Sequence, residues 1–378
     1  DDSLELLKIC FIDIFRTRFS KIVLTTTFFN VIALTLMQTY YSILYFDSVQ
    51  FLKYAPIYFG RFYVLVSVSF ILFYKNVIYK YYQDFPKWKI NCAGKKVETQ
   101  IKRESICATR FSFLIILLGA GTATLYVVPS ETDYETFFIM TWFKEHVPEW
   151  ADVLSMMHRL SFLFVSFLMQ TPCIQLYYMQ KHIKFQANIL IQFLENVNNG
   201  YDNLDLGRLV FDGSYNEEIK KRLLLCINRH IDLIIFGNKF IKSAWPFIFL
   251  FSVSGGLLGI SLLMFFIVFE DLPMFMYVRL CSMVLVAAVT SILYIIQGQG
   301  IENITEQLSK VLCTCNWYCW NVQNQHIYLM FLRNTTKPFK IKFSDKISVN
   351  YKLGFDIAKA IYSVSSLLVY ITDSVVKS

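Results

Sequence analysis

The sequence is poor in the residues that form flexible linkers between domains and in the charged residues that cover the surface of soluble proteins. Only 14 of its 378 residues are glycine and 8 are proline, and no Pro/Gly/Ser-rich linker interrupts it. Charged residues make up 17% and apolar residues 55%, above the roughly 45–50% that is usual for soluble domains. Because apolar runs recur along the whole chain, we expect residues 1–378 to form a single domain with lipid as its solvent.

Motifs of catalysis and metal binding are also missing. The sequence has neither a His-x-x-x-His pair nor clustered carboxylates inside its apolar runs. Cys313, Cys315 and Cys319 lie near His326, but they lack the paired Cys-x-x-Cys knuckles of structural zinc sites, so we interpret them as packing residues. The sequence therefore predicts no enzyme, no metal and no cofactor.

Seven apolar runs are long enough to cross a bilayer core, which takes about 20 residues per helix. The seventh is the weakest, because it carries Lys352, Asp356 and Lys359 before its apolar stretch begins. The fold class predicted is an all-α integral membrane protein with seven transmembrane helices. The predicted spans are about 22–46, 54–74, 111–128, 153–179, 243–269, 274–297 and 348–371.

Basic residues are distributed unequally between the segments that join these spans. Twenty-eight Lys and Arg residues fall on the side of the N-terminus and three on the other, and cytoplasmic segments carry the excess. We therefore predict a cytosolic N-terminus and an extracellular C-terminus. The net charge of +8 is explained by this topology rather than by a basic domain for nucleic acid.

Two other classes of seven-span or polytopic protein fit less well. A G-protein-coupled receptor has the opposite orientation, and neither an Asp-Arg-Tyr-like triplet after the third span nor an Asn-Pro-x-x-Tyr in the seventh is present. A secondary transporter is expected to break its helices at matching positions of two repeats. The glycines at Gly119, Gly121, Gly255, Gly256 and Gly259 do not occupy equivalent halves.

The C-terminal segment carries positive evidence. Trp320 precedes an amphipathic helix that ends in basic residues, then a proline, then a final helix with Tyr-Ser and Leu. This order resembles the insect odorant receptor family, and the matching residues are Trp320, Arg333, Lys337, Pro338, Tyr362, Ser363 and Leu367. The resemblance is specific over about the last sixty residues. A gustatory receptor subunit is the alternative, although the last span lacks the Thr-Tyr and Gln-Phe usual there.

The resemblance implies a ligand-gated, non-selective cation channel. Its expected partners are the family's co-receptor in a heterotetramer, a volatile organic ligand, membrane lipid and permeating cations, and its expected location is the plasma membrane of olfactory neuron dendrites. A cytosolic anchor helix is expected at about 305–335.

The ligand site is expected in the outer halves of spans two, three, four and six, where a small apolar molecule needs an aromatic, largely dry cavity. Each candidate taken alone is more often a packing residue. The candidates are Tyr58, Phe62, Leu65, Gly121, Thr122, Leu125, Met157, His158, Ser161, Phe162, Tyr277, Cys281 and Val284.

A gate is expected on the last helix. Leu367, Tyr370 and Ile371 share one helical face, and an apolar ring can close a pore by dewetting. The same spacing also marks ordinary packing faces.

Three arginines lie about 10 Å inside the outer ends of their spans, at 1.5 Å per helical residue. Arg61, Arg159 and Arg279 are either functional charges or arginines that snorkel outward or pair with Asp152, Glu270 or Asp271. The acidic and aromatic segment between the third and fourth spans is hypothesised to form a lid, with Phe137 and Phe138 at its centre.

Overall fold

The computed structural model describes residues 2–84, 88–131, 133–201, 209–269, 273–336, 339–342 and 347–376. Within these ranges the chain forms eleven α-helices, which we number in chain order. They are α1 (Glu5–Phe11), α2 (Arg18–Leu44), α3 (Ser48–Asp84), α4 (Lys95–Val127), α5 (Asp133–Thr136), α6 (Phe138–His146), α7 (Ala151–Glu195), α8 (Gly213–Val268), α9 (Met274–Thr314), α10 (Val322–Thr335) and α11 (Tyr351–Val376).

Six helical segments in the described ranges are long and apolar enough to cross a membrane, and they overlap the first six predicted spans. They are Arg18–Leu44, Ser48–Tyr74, Lys95–Val127, Pro148–Glu195, Gly213–Val268 and Met274–Thr314. The seventh predicted span overlaps α11, which is not among the six. Lys352, Asp356 and Lys359 in the first half of α11 lower its mean hydropathy.

Two of these helices are far longer than a bilayer is thick. α7 has 45 residues and α8 has 56, which at 1.5 Å per residue gives about 68 Å and 84 Å against a hydrocarbon core of about 30 Å. The ends of both helices therefore extend out of the membrane. The structure continues α7 to Glu195 and begins α8 at Gly213.

The main hydrophobic core lies where these extensions pack together with α1, α4, α9 and α10. Trp320 is fully buried in it, and its indole N–H donates to Asn198 Oδ1 at 2.9 Å. The Asn324 side chain donates to the Asn216 carbonyl at 2.7 Å. Buried polar side chains are usually hydrogen-bonded, so these bonds hold Trp320 and the start of α10 against Asn198 and the start of α8.

The anchor expected at 305–335 is two helices rather than one. α9 ends at Thr314, a 3₁₀ turn occupies Trp317–Cys319, and α10 begins after Asn321. The Asn321 side chain accepts a hydrogen bond from the Asn324 backbone N–H at 2.9 Å. Because asparagine caps a helix in this way, it starts α10 as a separate element two residues after Trp320.

Candidate functional site

A cavity of about 180 Å³ lies between α3, α4, α7, α8 and α9, and we call it the first cavity. Its wall is mostly apolar, with a few polar side chains among the aliphatic and aromatic ones. The polar side chains are Arg61, Tyr63, Thr122, Tyr126, Ser166, Gln170, Thr290 and Ser291. This composition is typical of a small-molecule site, where apolar walls supply affinity and a few polar groups fix orientation.

Gly119 brings two walls of the first cavity close together. A Cβ atom there would overlap the amide nitrogen of Gln170 and come within 2.9 Å of Ser166 Oγ. Because glycine leaves that space free, the side chains of α7 approach the backbone of α4. The Gln170 side chain thus occupies the space beside Gly119 that a larger residue would fill.

One end of the first cavity is covered by the segment between α4 and α7. Phe137 is fully buried, with its ring centroid 5.5 Å from that of Phe162 and 6.1 Å from that of Tyr126. Phe162 and Tyr126 both line the first cavity. Phe138 points the other way and packs on Tyr41 with a centroid distance of 5.1 Å. Only one of the two lid phenylalanines therefore sits above the cavity wall.

A buried ion cluster holds this covering segment in place. Arg279 and Asp133 are both 0% exposed, and Arg279 Nη1 donates to Asp133 Oδ1 at 2.6 Å. Arg159 Nε lies 3.0 Å from the other carboxylate oxygen. Arg279 Nε also donates to the Leu125 carbonyl at 2.9 Å. The Asp133 carboxylate therefore ties α5 to α7 and α9, and Arg279 links α9 to the end of α4.

Asp133 replaces the partners that the sequence suggested for these arginines. Asp152 accepts a hydrogen bond from the Tyr134 hydroxyl at 3.1 Å instead. Burial, together with that bond, raises the pKa of the Tyr134 phenol. Glu270 and Asp271 lie outside the described residues. Sequence reasoning missed Asp133 because it is 146 positions from Arg279 and begins α5, a helix of four residues that is too short to show a periodic pattern.

The predicted ligand residues fall into several groups in the structure. Thr122 and Phe162 line the first cavity. His158 packs its ring on Phe162 at a centroid distance of 5.2 Å, while Leu125 offers its carbonyl to Arg279. These four residues lie at the cavity or its cover.

The remaining candidates lie elsewhere. Tyr58 Oη is 3.0 Å from Thr39 Oγ1, and Tyr277 stacks on Phe266 with centroids 6.0 Å apart. Leu65 packs in the cluster around Val68 and Ile71, and Phe62 is half-buried away from the first cavity. Four candidates lie on exposed faces of their helices, namely Gly121, Met157, Ser161 and Cys281.

A second cavity, of about 450 Å³, lies between α8, α9 and α11, and Val284 lines it. On the side of α11 it is bounded by Ile357 and Ile361. It shares six wall residues with the first cavity, namely Tyr63, Gly255, Leu258, Ala287, Thr290 and Ser291. The two cavities therefore have part of their walls in common, and the second cavity extends to α11.

The expected gate residues lie on the distal half of α11. Leu367 is 59% exposed and Tyr370 is 73% exposed. The side chain of Ile371 is outside the described part of the structure. Large apolar side chains exposed together on one helix need lipid or another protein surface to cover them.

These features define an α-helical membrane protein with a mostly apolar cavity that shares part of its wall with a second cavity beside the last helix. The profile of the family described as "7tm Odorant receptor" matches residues 47–362. The chain belongs to this odorant receptor family, as its C-terminal motif predicted, and the family consists of receptors rather than enzymes.

Solved structures with the same fold are insect olfactory receptors. The receptor OR5 from Machilis hrabei in complex with eugenol superposes with a TM-score of 0.72 at 8% identity, covering 94% of this chain and 91% of that one. A second structure of the same receptor superposes with a TM-score of 0.66 at 10% identity, covering 93% of this chain and 90% of that one. No curated protein sequence matches the chain. The predicted all-α fold with seven transmembrane helices is confirmed by these structures.

Proposed function

We propose that this chain is an odorant-tuning subunit that binds a small volatile ligand in the first cavity and thereby opens a non-selective cation channel formed with the family's co-receptor. The observation that carries the proposal is the covered first cavity and the wall it shares with the second cavity beside α11. Family membership and the eugenol complex of a receptor with this fold support it.

The size of the first cavity limits the ligand. Its 180 Å³ is a little more than the roughly 150 Å³ of an apolar protein cavity that holds benzene. A ligand of one ring with a short substituent, or an aliphatic chain of similar volume, fits this space. Such molecules are volatile and mostly apolar, and their burial is favourable by about 25 cal/mol for each Å² of apolar surface.

The shared wall suggests how binding reaches the pore. A ligand that fills the first cavity presses on Ala287 and Gly255, which also bound the second cavity. Ile357 and Ile361 on α11 form the far side of that cavity, and Leu367, Tyr370 and Ile371 follow on the same helix. Displacement of α11 would then widen an apolar constriction, which conducts once it is wetted.

A substitution that fills the first cavity tests the ligand site. We expect Thr122→Phe to raise the ligand concentration for half-maximal current by about tenfold or more, because even one methylene that misfits an apolar pocket changes affinity by about 10- to 200-fold. Gly121→Phe is the matched control, since Gly121 is the preceding residue on α4 and a Cβ atom added there would meet no heavy atom within 4 Å. Equal shifts for the two variants would argue against ligand binding in the first cavity.

The orientation proposed for this subunit places the N-terminus in the cytosol and the C-terminus outside the cell, at the plasma membrane of a sensory dendrite. The imbalance of 28 to 3 basic residues supports it. With an epitope tag at each terminus, antibody staining of intact cells is expected for the C-terminal tag alone. Staining of the N-terminal tag on intact cells would contradict the proposed orientation.

A further inference from the structure

Arg61 is the charged group that faces the first cavity. It lies on α3, lines the cavity and is 8% exposed. Its Nη1 donates to Gln38 Oε1 at 2.7 Å, whereas its Nη2 is buried and has no hydrogen-bond partner within the described part of the chain. None of the ion pairs found among the described residues includes Arg61.

The buried carboxylate of Asp133 is already paired with other arginines. Its two oxygens bind Arg279 and Arg159. A guanidinium stays protonated in proteins and carries five donor N–H groups. A buried donor without an acceptor is unfavourable, and a charged one more so. The wall of the first cavity thus includes a cation that has an open donor.

The other polar groups of the first cavity wall are neutral hydroxyls and one amide. Thr290 Oγ1 already donates to the backbone of its own helix, at 2.7 Å from the Val286 carbonyl. Gln170 has an unpartnered amide oxygen among the described residues, but the two ends of an amide side chain can exchange places by rotation. Unlike these groups, the Arg61 guanidinium can act only as a hydrogen-bond donor.

We propose that the ligand of this receptor carries a carbonyl or carboxylate oxygen and that Arg61 binds it through Nη2. The inference rests on the proposed function, because it takes the first cavity as the ligand site. The chemical class is a small ketone, ester or carboxylic acid whose remaining atoms are apolar. A hydrocarbon of the same shape fills the same volume but leaves Nη2 without an acceptor. Charge-assisted hydrogen bonds are about twice as strong as neutral ones, so Arg61 separates these two kinds of ligand.

The test compares ligands matched in size on the receptor expressed with an insect co-receptor. The panel pairs hydrocarbons with oxygenated ligands of equal heavy-atom count: isopropylbenzene with acetophenone and with benzoic acid, and sec-butylbenzene with methyl benzoate. We expect the carbonyl and carboxylate members to activate at concentrations about tenfold or more below those of their hydrocarbon partners. Arg61→Met is expected to raise the half-maximal concentration of the oxygenated ligands by about tenfold or more, and that of the hydrocarbons by less than about threefold.

Two further variants separate recognition from folding. Arg61→Lys keeps the charge but loses the forked donor, so we expect an intermediate shift for the oxygenated ligands. Arg103→Met removes an exposed arginine of α4 and is expected to change no response. Surface staining of each variant measures folding and delivery. If the Arg61 variants do not reach the surface, the ligand preference of the wild type alone decides the matter.

The outcomes distinguish the two proposals. The role of Arg61 would be overturned if the hydrocarbons evoked current at the same concentrations as their oxygenated partners. It would also be overturned if Arg61→Met raised the half-maximal concentration equally for all ligands. In both cases the proposed function would stand. A receptor at the cell surface that gives no current for any volatile would overturn the proposed function itself.

Discussion

Asp133→Asn is expected to destabilise the protein by about 3–5 kcal/mol, the range for breaking a buried ion pair by removing one partner. The amide keeps the size of the carboxylate but removes the charge that compensates Arg279, which is 0% exposed, and Arg159. The Ser130 backbone N–H, which donates to Asp133 Oδ2 at 3.0 Å, would lose a charged acceptor as well. We expect less receptor at the surface and a lower unfolding temperature in detergent.

Glu131→Gln is the matched control for this prediction. It removes one negative charge two residues earlier in the same segment, where Glu131 is exposed. Exposed charges contribute about 0–1 kcal/mol, so its unfolding temperature should stay close to that of the wild type. If Asp133→Asn were as stable as Glu131→Gln, the buried ion cluster would not hold the covering segment to α7 and α9.

Gly298→Ala is expected to change the maximal ligand-evoked current of the proposed channel. A Cβ atom at Gly298 on α9 would overlap the backbone carbonyl oxygen of Val349 and lie 2.7 Å from its Cγ1. Val349 is buried, and its N–H donates to the Ile341 carbonyl at 2.7 Å, so the chain just before α11 cannot easily move aside. Overpacking of this kind costs about 1–3 kcal/mol. A penalty of that size on one of the two channel states shifts the open–closed equilibrium by roughly 5- to 150-fold.

The measurement for Gly298→Ala is the maximal ligand-evoked current divided by the amount of receptor at the surface. Gly300→Ala on the same helix serves as the control, because its Cβ would meet nothing within 4 Å. Alanine there favours the helix by about 0.8–1 kcal/mol over glycine, so an unchanged or larger current is expected. Equal currents for Gly298→Ala and Gly300→Ala would show that the close contact before α11 has no part in gating.

Much of the fold can be predicted from this sequence, because long apolar runs are a strong signal of membrane-spanning helices. Six predicted spans overlap apolar helices of the structure. The helix boundaries depended on caps that hydropathy does not show. Thr17, whose Oγ1 accepts from the Ser20 N–H at 3.1 Å, starts α2 at Arg18 rather than at Ile22.

The candidate site was harder to predict, since a membrane helix is apolar toward lipid and toward a dry cavity alike. Neighbouring residues such as Gly121 and Thr122 therefore cannot be assigned to one face or the other by polarity, and only Thr122 lines the first cavity. The arginines were visible as charges within spans. Their partners were not, because Gln38 and Asp133 reach Arg61 and Arg279 only through tertiary packing.

The central claim is that ligand binding opens an ion channel directly. It is tested most directly by recording current from cells that express this chain with an insect odorant co-receptor, while volatile ligands are applied and G-protein signalling is blocked. The account predicts a ligand-evoked, non-selective cation current that survives the block and is absent without this chain. A current that disappears under the block would contradict it.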